Sequence, residues 1–232
     1  MTTLPEPPPA AAPLEGIDVS HHQGRVAWSE VRGIEFVFLK ATEGAHFTDP
    51  CFAANWGAAA AQGLLRGAYH FYRPAQDPAA QAAHFLAVMG RLGAGDLPPA
   101  LDLEATAEPG EWEQPPAERL ARLQQWLTAV EQGCGRRPFI YVAPVFWRDV
   151  LGAPASFGAY PLWHAEYGVE RPHVPTAWLT WTLWQFSQTG TVPGVTGRVD
   201  RNRFQGGRSD LERLATGASG AAIDPSRFGP RQ

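Results

Sequence analysis

Pro98-Pro-Ala-Leu-Asp-Leu-Glu104 is a short apolar run that ends in two carboxylates, Asp102 and Glu104, spaced two residues apart. Read as a strand, it points both acids to one face, about 6.5 Å apart along the chain. Two acids at the exit of an otherwise buried strand are costly unless something pairs with them or uses them. On its own the stretch leaves two uses open: acid–base chemistry at one carboxyl, or a cap or ion pair for the helix that follows.

The segments around it read the same way. Gly16-Ile-Asp-Val-Ser-His-His-Gln-Gly24 carries Asp18, and Glu35-Phe-Val-Phe-Leu-Lys-Ala-Thr-Glu-Gly44 carries Lys40 and Glu43 at its end. Arg66 to Tyr72, Pro138 to Ala143, Tyr160 to Tyr167, Thr180 to Ser187 and Gly197 to Phe204 follow, the last carrying Asp200. Each joins a β-branched or aromatic run to polar residues near its C-terminal end. Functional groups gathered at one mouth of a barrel of mostly parallel strands would produce this pattern. Helices are expected between the strands. Asp77-Pro78 caps and opens one over Ala79 to Leu92. Pro116 opens another, with Leu120, Leu123, Leu127 and Val130 on one face and Gly133 and Gly135 at its end. Asp49 to Gln62 is a third, and Ser209-Asp-Leu-Glu212 has capping-box spacing for a short closing helix. After Tyr141 the strands follow one another with little helix between them.

Five blocks occur in order: Gly-Ile-Asp-Val-Ser-x-x-Gln-Gly from Gly16, Phe-x-Lys-Ala-Thr-Glu-Gly from Phe38, Gly-x-Tyr-His-Phe from Gly67, Leu-Asp-Leu-Glu from Leu101, and Val-Asp-x-Asn-x-Phe from Val199. Together they resemble family 25 of the glycoside hydrolases, lysozymes that act as N-acetylmuramidases. The resemblance implies a single-domain α/β fold, a TIM-like barrel in a modified (β/α)5(β)3 arrangement. It spans residues 16–214, between a Pro/Ala-rich arm (1–15) and a tail (215–232) expected to be flexible. It implies cleavage of the β-1,4 bond between N-acetylmuramic acid and N-acetylglucosamine in peptidoglycan. One departure from the pattern is His164, in the block Leu162-Trp-His-Ala165, where an apolar residue is expected; it places one rim contact in question.

Glycosidic cleavage needs an acid for the leaving oxygen and stabilisation of the charge growing on the sugar. Glu104 is the expected acid, because like charges at Asp102, Asp18 and Asp200 would raise the pKa of one carboxyl. Capping or pairing with the next helix is the alternative for Glu104. Asp102 could attack the anomeric carbon or orient the substrate's 2-acetamido group; substrate assistance with retention is the favoured expectation. Asp18 and Asp200 are expected to shape the field of the site, with a purely structural role at the rim as the alternative. The resemblance implies that Tyr69 and Tyr141 line the glycan cleft, and Trp163, Trp184 and Gln185 fall in late-strand blocks near the same mouth. Most of the chain's nine tryptophans must be core. His21, His22 and His70 read more readily as packed or hydrogen-bonded residues than as bases. Lys40 is expected to pair with a carboxylate, and Glu43 to be either a further mouth carboxylate or half of a loop salt bridge.

Composition bounds the rest. The 232 residues are 44% hydrophobic and 18% charged, enough for one sizeable core. A net charge of −4 and the lack of a Lys/Arg run argue against a nucleic-acid partner. No apolar stretch approaches the ~20 residues of a membrane span. Cys51 and Cys134 read as two separate thiols, and no metal or cofactor motif is present, so no cofactor is expected. The chain is expected to be a monomer acting on glycan strands outside the cytoplasm. Its first residues lack the pattern of an export signal, which leaves lysis-type release or contact-dependent secretion as routes. Two other functions fit the same blocks: an inactive wall-binding protein on this barrel, and a hydrolase of another amino-sugar polymer such as chitin.

Overall fold

The computed structural model describes residues 13–106 and 108–217. Its strands are β1 (Leu14–Val19), β2 (Phe36–Glu43), β3 (Phe47–Thr48), β4 (Leu65–Phe71), β5 (Ala100–Leu103), β6 (Phe139–Val142), β7 (Leu162–Ala165), β8 (Leu183–Gly190) and β9 (Val199–Phe204). They are ordered β1-β9-β8-β7-β6-β5-β4-β2, and pairing of β1 with β2 closes these eight into a barrel, with β3 added to β2. Neighbours from β1–β2 round to β7–β8 are parallel. β9 alone runs antiparallel to both of its barrel neighbours.

Helices follow β2, β4, β5 and β6: α1 (Phe52–Ala61), α2 (Pro78–Met89), α3 (Pro116–Cys134) and α4 (Pro144–Asp149). After β1, two 3-10 turns, His21–Gln23 and Trp28–Glu30, stand in the helix's place. β7, β8 and β9 then follow with no α-helix among them, and α5 (Arg208–Thr216) comes last. The fold is the expected single-domain α/β barrel in its (β/α)5(β)3 form.

Period-two alternation sorts each strand. Ile17, Val37, Leu39, Leu101, Leu103, Ile140, Val142 and Leu162 face the helices. Phe36, Phe38, Ala100, Phe139, Trp163, Leu183 and Phe204 fill the barrel. Positions of the same interior phase nearer the C-terminal strand ends turn polar, with Asp18, Lys40, Tyr69, Asp102, Tyr141 and Gln185. The apolar stack is thus the floor of the site. Two glycines make room for it. A Cβ on Gly16 would lie 2.5 Å from the Phe36 ring, and one on Gly67 only 2.3 Å from the Phe38 ring. Phe38 cannot yield, since it is wedged against Trp163 at 4.6 Å and Phe139 at 5.8 Å between ring centroids. Gly67→Ala should therefore overpack the barrel and cost about 1–3 kcal/mol. The measurement is urea unfolding, where the midpoint falls at unchanged slope; an unmoved midpoint would mean that the floor can repack.

Local chemistry explains the helix ends. Asp77 caps α2, accepting from Ala79 N at 3.4 Å and Ala80 N at 3.1 Å, with Pro78 in the first turn. α2 stops at Met89, short of the expected Leu92, because Gly90 takes a positive φ of 71°. Gly133 does not end α3. It lies inside the helix, where a Cβ would meet Leu86 of α2 at 2.4 Å, so its role is close helix–helix approach. The left-handed Gly135 ends α3. The expected capping box at Ser209 is displaced: α5 begins after Gly207, whose N–H donates to Asp210 Oδ2 at 2.8 Å, while Glu212 pairs with Arg208. Cys51 and Cys134 are both free thiols. Leu14 and Glu15 of the expected arm belong to β1, and Ala215 and Thr216 of the expected tail belong to α5. The rest of the arm up to residue 12, and the tail from 218 on, lie outside the described residues.

Candidate active site

A cavity of about 290 Å³ opens at the C-terminal ends of the barrel strands. Asp18, Asp102, Glu104, Asp200, Tyr69, Tyr141, Trp163 and Gln185 all line it, beside Val19, Ser20, His22, Gln23, Lys40 and Phe71. The fold brings these positions together because the strands are in register. Asp18 lies opposite Asp200 on β1 and β9, and Asp102, Tyr141 and Trp163 sit side by side on β5, β6 and β7.

The four acids fall into two pairs. Asp18 Oδ2 accepts from Gln185 Nε2 at 2.8 Å and from Asn202 Nδ2 at 2.7 Å. These donors, and a hydrogen bond from Asp200, oppose the larger effect of burial, which pushes the Asp18 pKa up. Burial, the Asp18 charge and that shared hydrogen bond lift Asp200 to about 8. With a pKa of about 8, Asp200 is placed to donate its proton to Asp18 at neutral pH.

Asp102 is buried on β5, and its Oδ1 receives no hydrogen bond among the described residues. Its carboxyl is in hydrogen-bond contact with that of Glu104, which stands exposed at the rim just beyond the strand. Burial first, then the Glu104 charge and the contact itself, hold the Asp102 pKa well above the carboxylate range. Glu104 is also raised, by burial of its inner atoms against the site and by the charge of Asp18, while Asp102 and Lys40 pull it down. Solvent at the rim screens the effect on Glu104. Both carboxyls are thus raised, Glu104 as expected from the sequence, with the larger rise at Asp102, the more buried partner.

Both amide side chains are themselves held. Gln185 Oε1 accepts from Tyr141 Oη at 2.9 Å and also from Tyr167 Oη, and Asn202 Oδ1 accepts from Trp163 Nε1 at 2.7 Å. Tyr141 and Tyr167 therefore act on Asp18 through Gln185, and Trp163 acts on it through Asn202. Burial and the nearby carboxylates keep Tyr69 and Tyr141 as neutral phenols far above neutral pH. Sequence reasoning missed Asn202 and Tyr167. Asn202 was legible in principle, being two residues beyond Asp200 and on the same side of β9. Ser20 and Gln23 form a capping box at the end of β1, a Ser-x-x-Gln spacing also visible in the chain.

Other expected residues sort differently. Lys40 Nζ bonds Glu43 Oε2 at 2.7 Å, and Arg73 bonds Glu43 Oε1 at 2.7 Å, so Glu43 is a salt-bridge partner and does not line the cavity. His21 Nδ1 is 2.7 Å from Asp49 Oδ2. His70 is fully buried between Thr42 and Gln81, and burial drops its pKa to about 3, so it is a neutral structural residue. Trp184 faces away from the cavity, with its Nε1 on the Glu166 carbonyl at 2.8 Å. His164 alternates with the cavity-lining Trp163 and so faces the helix layer, fully buried, with its Nε2 3.1 Å from Glu166. It is not a rim contact, and the doubt it raised about that contact falls away. No group of three or more His, Cys, Asp or Glu among the described residues is placed to hold a metal ion.

The family model for glycosyl hydrolases family 25 matches residues 17–195, most of the barrel and three of the four acids. The chain belongs to family 25. It is similar to the protein YegX of Escherichia coli (strain K12), 38% identical over 90% of this chain and 76% of that one. It is also similar to Lysozyme M1 of Streptomyces globisporus, 36% identical over 87% of this chain and 71% of that one. Among solved structures, the bacterial lysozyme of Streptomyces coelicolor superposes with a TM-score of 0.85 at 36% identity, covering 88% of this chain and 98% of that one. This family 25 protein is a glycoside hydrolase, with paired carboxyls at its barrel mouth as such chemistry requires.

Proposed function

We propose that this enzyme is an N-acetylmuramidase, cutting the β-1,4 bond between N-acetylmuramic acid and N-acetylglucosamine in peptidoglycan, and that it acts at the bacterial cell wall. The observation that carries the reading is the contact of the Asp102 and Glu104 carboxyls at the cavity mouth, opposite a second carboxyl pair. Membership of family 25 and likeness to two lysozymes support the substrate class.

In the mechanism, the N–H of the substrate's 2-acetamido group donates to Asp102. That hydrogen bond favours the ionised form of Asp102, so the pair's proton passes to Glu104. Glu104 protonates the glycosidic oxygen as the bond from that oxygen to the anomeric carbon breaks. The acetamido carbonyl oxygen closes on the anomeric carbon to give an oxazolinium ion, held by the Asp102 carboxylate. Glu104 then takes a proton from water, the water oxygen attacks the anomeric carbon, and the ring opens with net retention. The contact between the two carboxyls supports retention. An inverting pair stands roughly 6.5–9.5 Å apart to hold a water between them. The Asp18–Asp200 pair supplies negative charge facing the developing cation, and Tyr69 and Tyr141 offer phenols to the sugar. Gln185 and Trp163 orient Asp18, directly and through Asn202, and need not touch the glycan.

Digestion of purified peptidoglycan, followed by reduction and mass spectrometry, should give fragments ending in reduced muramic acid. Ends in reduced glucosamine alone, or cleavage of chitin in preference, would replace the assignment with a different amino-sugar hydrolase. Proton NMR of the first products should show the β anomer; the α anomer would rule out both retaining routes.

A further inference from the structure

Glu104 lies one residue past the end of β5, so the barrel ladder does not fix its backbone. Something else must, because the acid has to stay in contact with Asp102. The indole Nε1 of Trp112 donates to the Glu104 carbonyl at 3.1 Å. Trp112 is in turn held from several sides. Its ring meets Phe146 of α4 edge-on at 5.1 Å and Tyr72 at 6.1 Å, and its carbonyl accepts from Arg119 Nη1 at 3.1 Å. The preceding residue, Glu111, is buried and accepts from Arg73 Nη1 at 2.9 Å. Arg73 also bonds Glu43, which holds the cavity-lining Lys40. Two consecutive residues thus tie the stretch after the acid to α4 on one side and to the cation beside the carboxyl pair on the other.

We propose that Trp112 is a positioning residue for the reaction, setting the place of the Glu104 carboxyl against Asp102 through its bond to the Glu104 carbonyl, with Glu111 as its anchor. Nothing in the five sequence blocks marks either residue. As a role in the muramidase reaction this rests on the function proposed above, while the geometry it claims does not. The charged groups that face Glu104 are Asp102 on β5, Asp18 on β1, Asp200 on β9, and Lys40 and Glu43 on β2. All of these are held by their own strands and partners, so a shift of the Glu104 backbone is read most directly at Asp102, the one in hydrogen-bond contact with it.

Trp112→Phe removes the N–H and keeps an aromatic ring against Tyr72 and Phe146. With peptidoglycan as substrate, kcat should fall roughly 10- to 100-fold, as for a misplacement of about 1 Å, with KM little changed. A parallel measurement needs no turnover: carboxyl-carbon NMR of protein labelled in Asp and Glu. There the upper titration of the Asp102–Glu104 pair should move to lower pH, because a looser contact shares the proton less well. A folded Trp112→Phe with wild-type kcat and wild-type titration overturns the proposal, as does a loss of kcat that only tracks the folded fraction. If wild type leaves peptidoglycan uncut but the titration still shifts in the variant, the proposed function fails and the positioning role stands.

Discussion

Glu104→Gln should lower turnover on peptidoglycan by roughly 10²- to 10⁴-fold, the range for losing a general acid–base group. The amide keeps the size of the carboxyl and can donate to Asp102, but it cannot give a proton to the glycosidic oxygen or later take one from water. The effect belongs in kcat more than in KM, since the lost interaction forms only as the bond breaks. Folding should be unharmed. Glu104 is exposed at the rim, and the hold on its backbone, Trp112 Nε1 to the carbonyl, does not involve the side chain. The Asp102 carboxyl also loses a charged neighbour and should titrate lower in the variant. Residual cleavage near wild type, measured as reduced muramic-acid ends per minute, would remove Glu104 from the acid role and turn attention to Asp102, whose pKa is also raised.

Asp18→Asn is the second large effect, and it separates charge from shape. An asparagine at position 18 still accepts from Gln185 and Asn202, and its own amide can donate to Asp200. The site should therefore assemble while losing the negative charge opposite Glu104 and Asp102. Turnover should fall roughly 10²-fold, as when one preorganised electrostatic partner of a transition state is removed. The variant also changes the pH dependence of stability. Asp200 is lifted from an ordinary 3.8 to about 8 by burial and by Asp18. Between those values the native protein holds a proton that the unfolded chain has released, so stability declines as pH rises and levels off above about 8. Without the Asp18 charge Asp200 should ionise at lower pH, and the Asp18 carboxyl, itself raised by burial, is gone as well. The decline in melting temperature from pH 4 to pH 9 should flatten. Near-normal turnover would take Asp18 out of the site, and an unchanged slope would place the titrating proton elsewhere.

Ordered blocks and alternation are local properties, and they carried most of the architecture. Polar residues near the C-terminal strand ends, with the family blocks, placed Asp18, Tyr69, Asp102, Tyr141 and Gln185 at one mouth, and alternation agrees, since all five are interior positions. The same alternation could have excluded Trp184 and His164, which flank cavity-lining residues and so face the other way. Helix starts were legible where a cap and a proline stood together, as at Asp77-Pro78. Ends depended on more than the glycine itself: Gly133 looked like a terminator, and only the approach of Leu86 from α2 shows why it stays helical.

The chain alone determined that a barrel forms and that carboxylates gather at its open end; that Gly16 and Gly67 make room for Phe36 and Phe38 shows only where neighbouring strands meet. Tertiary structure decided how those carboxylates divide. Asp18 pairs with Asp200 across the β1–β9 seam, and Asp102 with Glu104 along the exit of β5. It also decided how far each carboxyl pKa is raised, because depth of burial and hydrogen bonds are set by neighbours from distant strands. The anchoring of Glu104 by Trp112 was likewise invisible in the sequence. A tryptophan eight positions downstream in a stretch without periodicity has no preferred side until α4 and Arg119 fix where its indole points.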